Sequence, residues 1–123
     1  MKPFNLAIMS LLLLNIAHSQ ATDYDKVVYV YEQAIDGVYS DFWYAQMLSE
    51  NKYKLIREGK SGDLDAPIKL DCDKKRFSVV GYGLLYGHTP LYPEEVENYI
   101  SPEVVDTYFD KFCPKLFIEI PMD

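Results

Sequence analysis

The chain contains two cysteines, Cys72 and Cys113, and a cysteine side chain has four common roles. It can bind a metal, act as a nucleophile, pack as a small apolar residue, or form half of a disulfide. The compartment in which the chain folds and the residues near each cysteine decide among these roles.

The beginning of the chain has the three-part pattern of a secretory signal peptide. Lys2 supplies a positive charge, residues 4–16 are largely apolar, and small residues follow at Ser19 and Ala21. The apolar run is shorter than the roughly 20 residues that span a membrane. We therefore predict cleavage near Ala21, a periplasmic or secreted location, and a single domain over residues 22–123 without a membrane span.

Cleavage at that point would leave 11 basic and 19 acidic residues, a formal charge of −8. Such a charge repels phosphate backbones, which argues against nucleic-acid binding. Cleavage would also leave His88 as the only histidine. Because most metal sites and many acid–base mechanisms need histidines, the sequence predicts no metal, no cofactor and no enzymatic activity.

The cysteine pair is best explained as a disulfide. A metal site would need more Cys or His residues than the chain has, and a reactive thiol would need a histidine or a Cys-x-x-Cys partner. A bond between Cys72 and Cys113 requires only an oxidising compartment. Cys72 and Cys113 are 41 positions apart. On the chain-entropy model, a bridge over this separation stabilises the fold by roughly 4 kcal/mol.

Two other motifs resemble catalytic or phosphate-binding signatures without completing them. The Gly-Lys-Ser-Gly stretch at 59–62 has Lys54 where a P-loop requires a glycine, so a solvated loop is predicted. Neither Ser61 nor Ser78 lies in a Gly-x-Ser-x-Gly elbow that could act with His88. The sequence therefore offers no catalytic triad.

Acidic pairs and aromatic residues leave two questions open. Asp63 with Asp65, and Asp71 with Asp73, could form weak cation sites, although a charged surface explains them more simply. Eleven tyrosines and Trp43 could form a contact surface for a protein or a carbohydrate. Small sheets are, however, commonly built from tyrosine, phenylalanine and valine.

The residue patterns predict an antiparallel sheet. An Asp-Gly turn at 36–37 joins the first two strands into a hairpin, and Gly81 and Gly83 suggest a bulge or a close backbone approach. The segment 49–67 is polar around a short apolar core and ends in a loop rich in Gly, Asp and Pro, and the segment 87–98 is predicted as a loop. The predicted strands are 27–35, 38–48, 68–72 and 76–86, with a weak further strand in the tail after Cys113.

One helix is predicted over residues 102–113. Ser101 can cap it, Pro102 suits its first position, and Glu103 suits its first turn. Five apolar residues form one stripe expected to face the sheet: Val104, Val105, Tyr108, Phe109 and Phe112. The fold class expected is therefore α+β, with four to six antiparallel strands and a C-terminal helix linked to them by one disulfide.

The segment 68–113 resembles the surface-adhesin protein E-like family of Gram-negative exported proteins. The matching features are an Asp-Cys pair, an arginine that opens an alternating strand, and a Tyr-Ile-x-Pro entry to a helix that ends in the second cysteine. They fall on Asp71, Cys72, Arg76, Tyr99, Ile100, Pro102 and Cys113. Unlike the best-known member, a surface lipoprotein, this chain has no cysteine near the predicted cleavage site.

The resemblance implies a small sheet domain with a helix on one side, and an adhesin-like role. The best-known member dimerises and binds host matrix and serum proteins, so a homodimer is among the states expected here. We therefore predict a non-enzymatic binding module with a protein partner. The alternative is a periplasmic inhibitor or immunity-type protein whose acidic segments at 63–73 and 94–97 block a basic enzyme cleft.

Overall fold

The computed structural model describes residues 26–114. The predicted signal peptide, which was expected to form a detached apolar helix, and the weak strand predicted in the tail lie outside the described residues. The elements in chain order are β1 (Val27–Asp36), β2 (Tyr39–Ser49), β3 (Lys52–Gly59), β4 (Leu64–Asp71), β5 (Arg76–Val79), β6 (Gly83–Leu85), β7 (Thr89–Leu91), α1 (Pro93–Glu97) and α2 (Pro102–Phe112).

The seven strands form one antiparallel sheet in the order β1-β2-β3-β4-β6-β7, and β5 pairs with the remaining length of β4. The predicted hairpin is confirmed, since β1 and β2 are joined through Gly37, whose φ is +58°. Glycine adopts this left-handed conformation without steric cost. The predicted α+β class with an antiparallel sheet is therefore confirmed.

The segment 49–67 contains all of β3 and the first half of β4, so the sequence analysis missed a complete strand around the short apolar core. Tyr53, Leu55 and Arg57 alternate with the outward-facing Lys54 and Ile56, and all three are buried. The alternation was hidden because the third buried position is an arginine, a residue type that is rarely buried. Asn51, with a φ of +66°, forms the turn that reverses the chain before β3.

The strand predicted at 76–86 is interrupted between β5 and β6. Three steps along β4, from Ile68 to Asp65, correspond to five steps on the partner, from Val79 to Leu84. The two additional residues form a bulge of the kind that Gly81 and Gly83 predicted. A Cβ atom at Gly83 would lie 2.6 Å from Val96 Cγ2, so the predicted close approach is also confirmed.

The segment 87–98 is also not a simple loop. It contains β7 and α1, which were missed because each is short and both begin beside prolines. Pro93 occupies the first turn of α1, and the carboxylate of Glu95 accepts a hydrogen bond from the Tyr92 amide at 2.7 Å. Val96 is fully buried against the sheet, which fixes this short helix in place.

The predicted C-terminal helix is confirmed as α2. The Ser101 hydroxyl accepts a hydrogen bond from the Val104 amide at 3.3 Å, as an N-cap should. Val104, Tyr108 and Phe109 are buried in the core, while the remaining stripe residues, Val105 and Phe112, pack against it partly buried. The apolar stripe therefore faces the sheet.

The predicted disulfide is present between Cys72 and Cys113, with a Cα–Cα distance of 5.5 Å. Cys72 follows the last residue of β4, and Cys113 is the C-cap of α2. The bond thus links the end of the helix to the end of a central strand. Both described helices contribute to one core on a single face of the sheet.

Candidate functional site

The other face of the sheet, called the outer face below, is not covered by any of the helices in the described part of the chain. Side chains on a strand alternate between faces, so the neighbours of the buried residues point outward. One row of cross-strand neighbours crosses the whole outer face from β1 to β7. In spatial order this row consists of Tyr29, Tyr44, Ile56, Asp65, Leu84 and Pro90.

This outer row is unusual because five of its six residues are apolar or aromatic. A one-sided antiparallel sheet normally exposes polar residues on its solvated face. Tyr29 is 51% exposed, whereas Tyr44, Ile56 and Leu84 are partly covered only by their neighbours. An apolar patch of this kind on a small domain is typical of a contact surface.

Two aromatic pairs lie at opposite sides of the sheet. Tyr29 and Tyr44 contact each other edge to face with ring centroids 6.1 Å apart, near the β1 edge. Tyr82 and Tyr92 form a similar contact at 5.2 Å beside β7. A groove of about 160 Å³ lies at the second pair and is lined by Tyr82, Pro90, Leu91 and Tyr92. These contacts answer the question that the sequence left open: several tyrosines are exposed together.

The stretch of sequence that contains the second pair has no basic residue. Residues 77–110 contain no lysine or arginine. The six carboxylates in this segment are Glu94, Glu95, Glu97, Glu103, Asp106 and Asp110. Glu94 and Glu95 lie in the first turn of α1, directly after Tyr92 and Pro93, so acidic residues adjoin the second pair in the chain.

The loop at 59–62 is a structural turn, and its amides are not available to a phosphate. The Lys60 amide donates to the Ser40 carbonyl at 3.0 Å, and the Gly62 amide donates to the Gly59 carbonyl at 3.0 Å. The Ser61 amide donates to the carboxylate of Asp41 at 2.8 Å. A carboxylate of the protein therefore occupies the place that an anion would take.

Arg57 and Asp41, both buried, hold this turn, and no pattern in the sequence indicated their role. The Arg57 guanidinium donates to the Gly62 carbonyl at 2.9 Å and to the Ser61 carbonyl at 3.2 Å. The same group lies 5.8 Å from the centre of the Tyr99 ring and 6.0 Å from that of Trp43. These contacts satisfy a buried cation without a catalytic role.

A series of hydrogen bonds between polar side chains joins the sheet to the start of α2. The Trp43 indole donates to Gln33 at 3.1 Å, and the Gln33 amide donates to the Ser101 hydroxyl at 3.3 Å. Tyr31 donates a hydrogen bond to Glu103 in the first turn of the helix. This hydrogen bond raises the pKa of the Tyr31 phenol, because the ionised phenol could not donate it.

Burial raises the pKa of two further tyrosines. Tyr108 is completely buried, and its hydroxyl donates to the Tyr44 carbonyl at 2.5 Å, so desolvation keeps the phenol neutral. Burial raises the pKa of the Tyr53 phenol for the same reason. Neither residue lies beside a candidate nucleophile, so these shifts reflect packing.

Ser78 and His88 are not brought together. Ser78 lies opposite Lys69, whereas the His88 amide bonds to Leu85, which lies opposite Leu64. Five residues of β4 separate these positions, about 16 Å along the strand. The His88 ring hydrogen-bonds the hydroxyl of its neighbour Thr89 at 3.1 Å.

The acidic pairs do not gather into a metal site within residues 26–114, where no group of three or more His, Cys, Asp or Glu side chains could hold an ion. Asp65 lies in the outer row, and Asp63 is exposed in the preceding turn. Asp71 accepts a hydrogen bond from the Lys74 amide at 3.2 Å. It lines a polar cleft of about 400 Å³ together with Asp73 and the cationic Lys69.

No protein-family model, curated protein or solved structure matches the chain. The fold and its surfaces define the class: a single antiparallel sheet, helices on one face, a linking disulfide and an apolar row on the open face. The disulfide fits an oxidising extracellular or periplasmic environment. Neither described helix is long and apolar enough to cross a membrane.

Proposed function

We propose that the protein is an exported, non-enzymatic binding module that contacts a protein partner through the outer face of its sheet. The observation that carries the proposal is the outer row, which places Tyr44, Ile56 and Leu84 in the centre of a face without a covering helix. Interfaces are enriched in such aromatic and apolar residues at their centres. The resemblance to the protein E-like family and the predicted signal peptide favour the same role.

The test is site-specific photo-crosslinking in the producing cell and in host matrix or serum. A photoreactive phenylalanine at Tyr44 should capture a defined partner protein, identified by mass spectrometry. The same group at Val38, which is 92% exposed at the tip of the β1–β2 hairpin, is the matched control. Equal capture at both positions, or none at Tyr44, would contradict the proposal.

A second candidate function is inhibition of a basic enzyme, favoured by the absence of basic residues from 77–110. In this role the carboxylates of α1 would enter a positively charged cleft. Replacing Glu94 and Glu97 by lysine should then abolish inhibition while Ile56→Ser leaves it unchanged. The first function predicts that Ile56→Ser reduces capture of the partner, so the effect of this variant distinguishes the candidates. A hydrolase or toxin gene beside this one would favour the inhibitor.

A further inference from the structure

The groove between Tyr82 and Tyr92 has the size and shape to hold a single ring of a partner. Its volume of about 160 Å³ is below the roughly 300–1,000 Å³ of pockets that bind whole small molecules. It is several times the roughly 30 Å³ that one water molecule occupies. The two rings, 64% and 57% exposed, meet at an interplanar angle of 69° and form the walls of a notch.

The edge beside this groove cannot accept a partner as an added strand. β7 is the last strand of the sheet and has only three residues, with Pro90 at its centre. Proline lacks the amide hydrogen that strand addition requires. A peptide bound here must therefore be held by its side chains and not by a ladder of backbone hydrogen bonds. The polyproline II conformation has a fully solvated backbone and is bound in this way by aromatic grooves.

The carboxylates next to the groove determine the charge of the ligand. Glu95 is fixed beside Tyr92 by the 2.7 Å hydrogen bond from the Tyr92 amide, and one of its oxygens accepts that bond. Glu94 is exposed in the same turn of α1. Because residues 77–110 contain no lysine or arginine, nothing nearby in the sequence neutralises these carboxylates. A ligand with lysine or arginine next to its apolar ring complements this charge.

From these observations we propose that Tyr82, Pro90 and Tyr92 form a docking site for a basic, proline-containing segment of the partner in the polyproline II conformation. A proline ring packs into the groove that Tyr82, Pro90, Leu91 and Tyr92 line, and a flanking arginine or lysine pairs with Glu94 and Glu95. The proposal rests on the proposed binding function and gives it a partner class and a place on the surface.

The test uses three synthetic peptides of equal length, titrated into the protein and followed by two-dimensional NMR. The first has four Pro-Pro-Arg repeats, which align the arginines because polyproline II has three residues per turn. In the second glutamate replaces arginine, and in the third Gly-Ser replaces Pro-Pro. Only the first should bind with a dissociation constant below about 1 mM. Its resonance shifts should cluster at residues 82 and 90–95.

Substitutions then locate the site. Tyr82→Ala and Tyr92→Ala should each weaken binding of the Pro-Pro-Arg peptide about fivefold or more. Tyr39→Ala removes a tyrosine that is 53% exposed at the start of β2, outside both the groove and the outer row, and should change nothing. Glu94→Gln should weaken binding and reduce its salt dependence, whereas Glu50→Gln in the β2–β3 turn should not.

Three results would overturn the proposal: no shifts at residues 82 and 90–95 up to about 1 mM peptide, equal binding of the glutamate peptide, or equal loss with Tyr39→Ala. Its failure is distinguishable from failure of the proposed function. If photo-crosslinking at Tyr44 still captures a partner when Tyr82 and Tyr92 are both alanine, the binding function stands and this docking site does not.

Discussion

At the scale of single residues, the hydroxyl of Tyr108 joins the helix to the sheet. Tyr108 is completely buried on α2 and donates its hydroxyl hydrogen to the Tyr44 carbonyl of β2. The outer face lies on the other side of the same strand, where the Tyr44 side chain belongs to the outer row. One residue thus contributes its backbone to core packing and its ring to the candidate contact surface.

The raised pKa of Tyr108 predicts how stability depends on pH. Below about pH 10 both folded and unfolded chains keep the phenol protonated, so this group adds no pH dependence. Above it the unfolded chain loses the proton first, and the free energy of unfolding should fall by about 1.4 kcal/mol per pH unit. Urea unfolding between about pH 9 and 11 should show a shallower fall for Tyr108→Phe. Tyr53 titrates in both proteins, so the difference isolates Tyr108.

The same substitution has an expected cost at neutral pH. Tyr108→Phe removes the hydrogen bond to the Tyr44 carbonyl and should destabilise the fold by about 1–2 kcal/mol. Identical pH slopes for the two proteins would contradict the assignment of Tyr108 as a buried neutral phenol.

At the scale of elements, the glycine that begins β6 is what lets α1 lie close to the sheet. Gly83 has no side chain, and Val96 of α1 fills the space. A Cβ atom at Gly83 would be 2.6 Å from Val96 Cγ2 and 3.1 Å from the Asp65 carbonyl oxygen. The helix that carries Glu94 and Glu95 therefore depends on a glycine.

Gly83→Ala should destabilise the protein by about 1–3 kcal/mol through overpacking. Chemical denaturation measures this cost, and Val96→Ala in the same chain should recover part of it by removing the clashing methyl groups. Gly87→Ala is the matched control. It has open space around the new methyl group and should cost about 1–2 kcal/mol from its positive φ alone. If the loss of unfolding free energy in the Gly83/Val96 double variant equals the sum of the two single losses, the two positions do not share the clash.

The disulfide also holds elements together, because it links the end of α2 to the end of β4. Replacing both cysteines by serine should cost about 2–5 kcal/mol, since the unfolded chain regains the freedom of the bridged segment. Limited proteolysis should then cut first within α2 or within 87–98. Equal stability of the serine variant and the oxidised protein in urea would contradict this role.

At the scale of the whole molecule, the two faces of one sheet are expected to serve different purposes. Leu55 and Ile56 are adjacent in β3, yet Leu55 lies in the core and Ile56 lies in the outer row. The helix-covered face supplies the stability of the domain. The outer face, by our proposal, supplies partner binding.

These neighbours form a matched pair of substitutions. Leu55→Ala should destabilise the protein by about 2–5 kcal/mol, because it leaves a cavity in the core. Ile56→Ala should cost less, because its side chain is only partly buried, and it should reduce crosslinking from Tyr44 severalfold. Urea denaturation and partner capture measured on both variants check whether stability and partner binding depend on different faces of the sheet. Loss of stability without loss of capture in Ile56→Ala would place the contact surface elsewhere.

The sequence by itself determined the features that rest on local patterns. The Asp-Gly turn specified the first hairpin, the capping serine and apolar stripe specified α2, and Gly81 with Gly83 indicated the bulge. The disulfide followed from an even cysteine count in a chain expected to be exported. In each case neighbouring residues, or residue counts alone, carried the information.

Only the tertiary structure decided the rest. β3 was missed because Arg57 is buried by carbonyls of the 59–62 turn and by rings distant in sequence, so its polarity concealed the alternation. β7 and α1 are too short to be recognised without the sheet on which they pack. The aromatic residues could not be assigned to a face from sequence, because strand register fixes which side chains share a surface. The outer row therefore exists only as a product of pairing between strands that lie far apart in the chain.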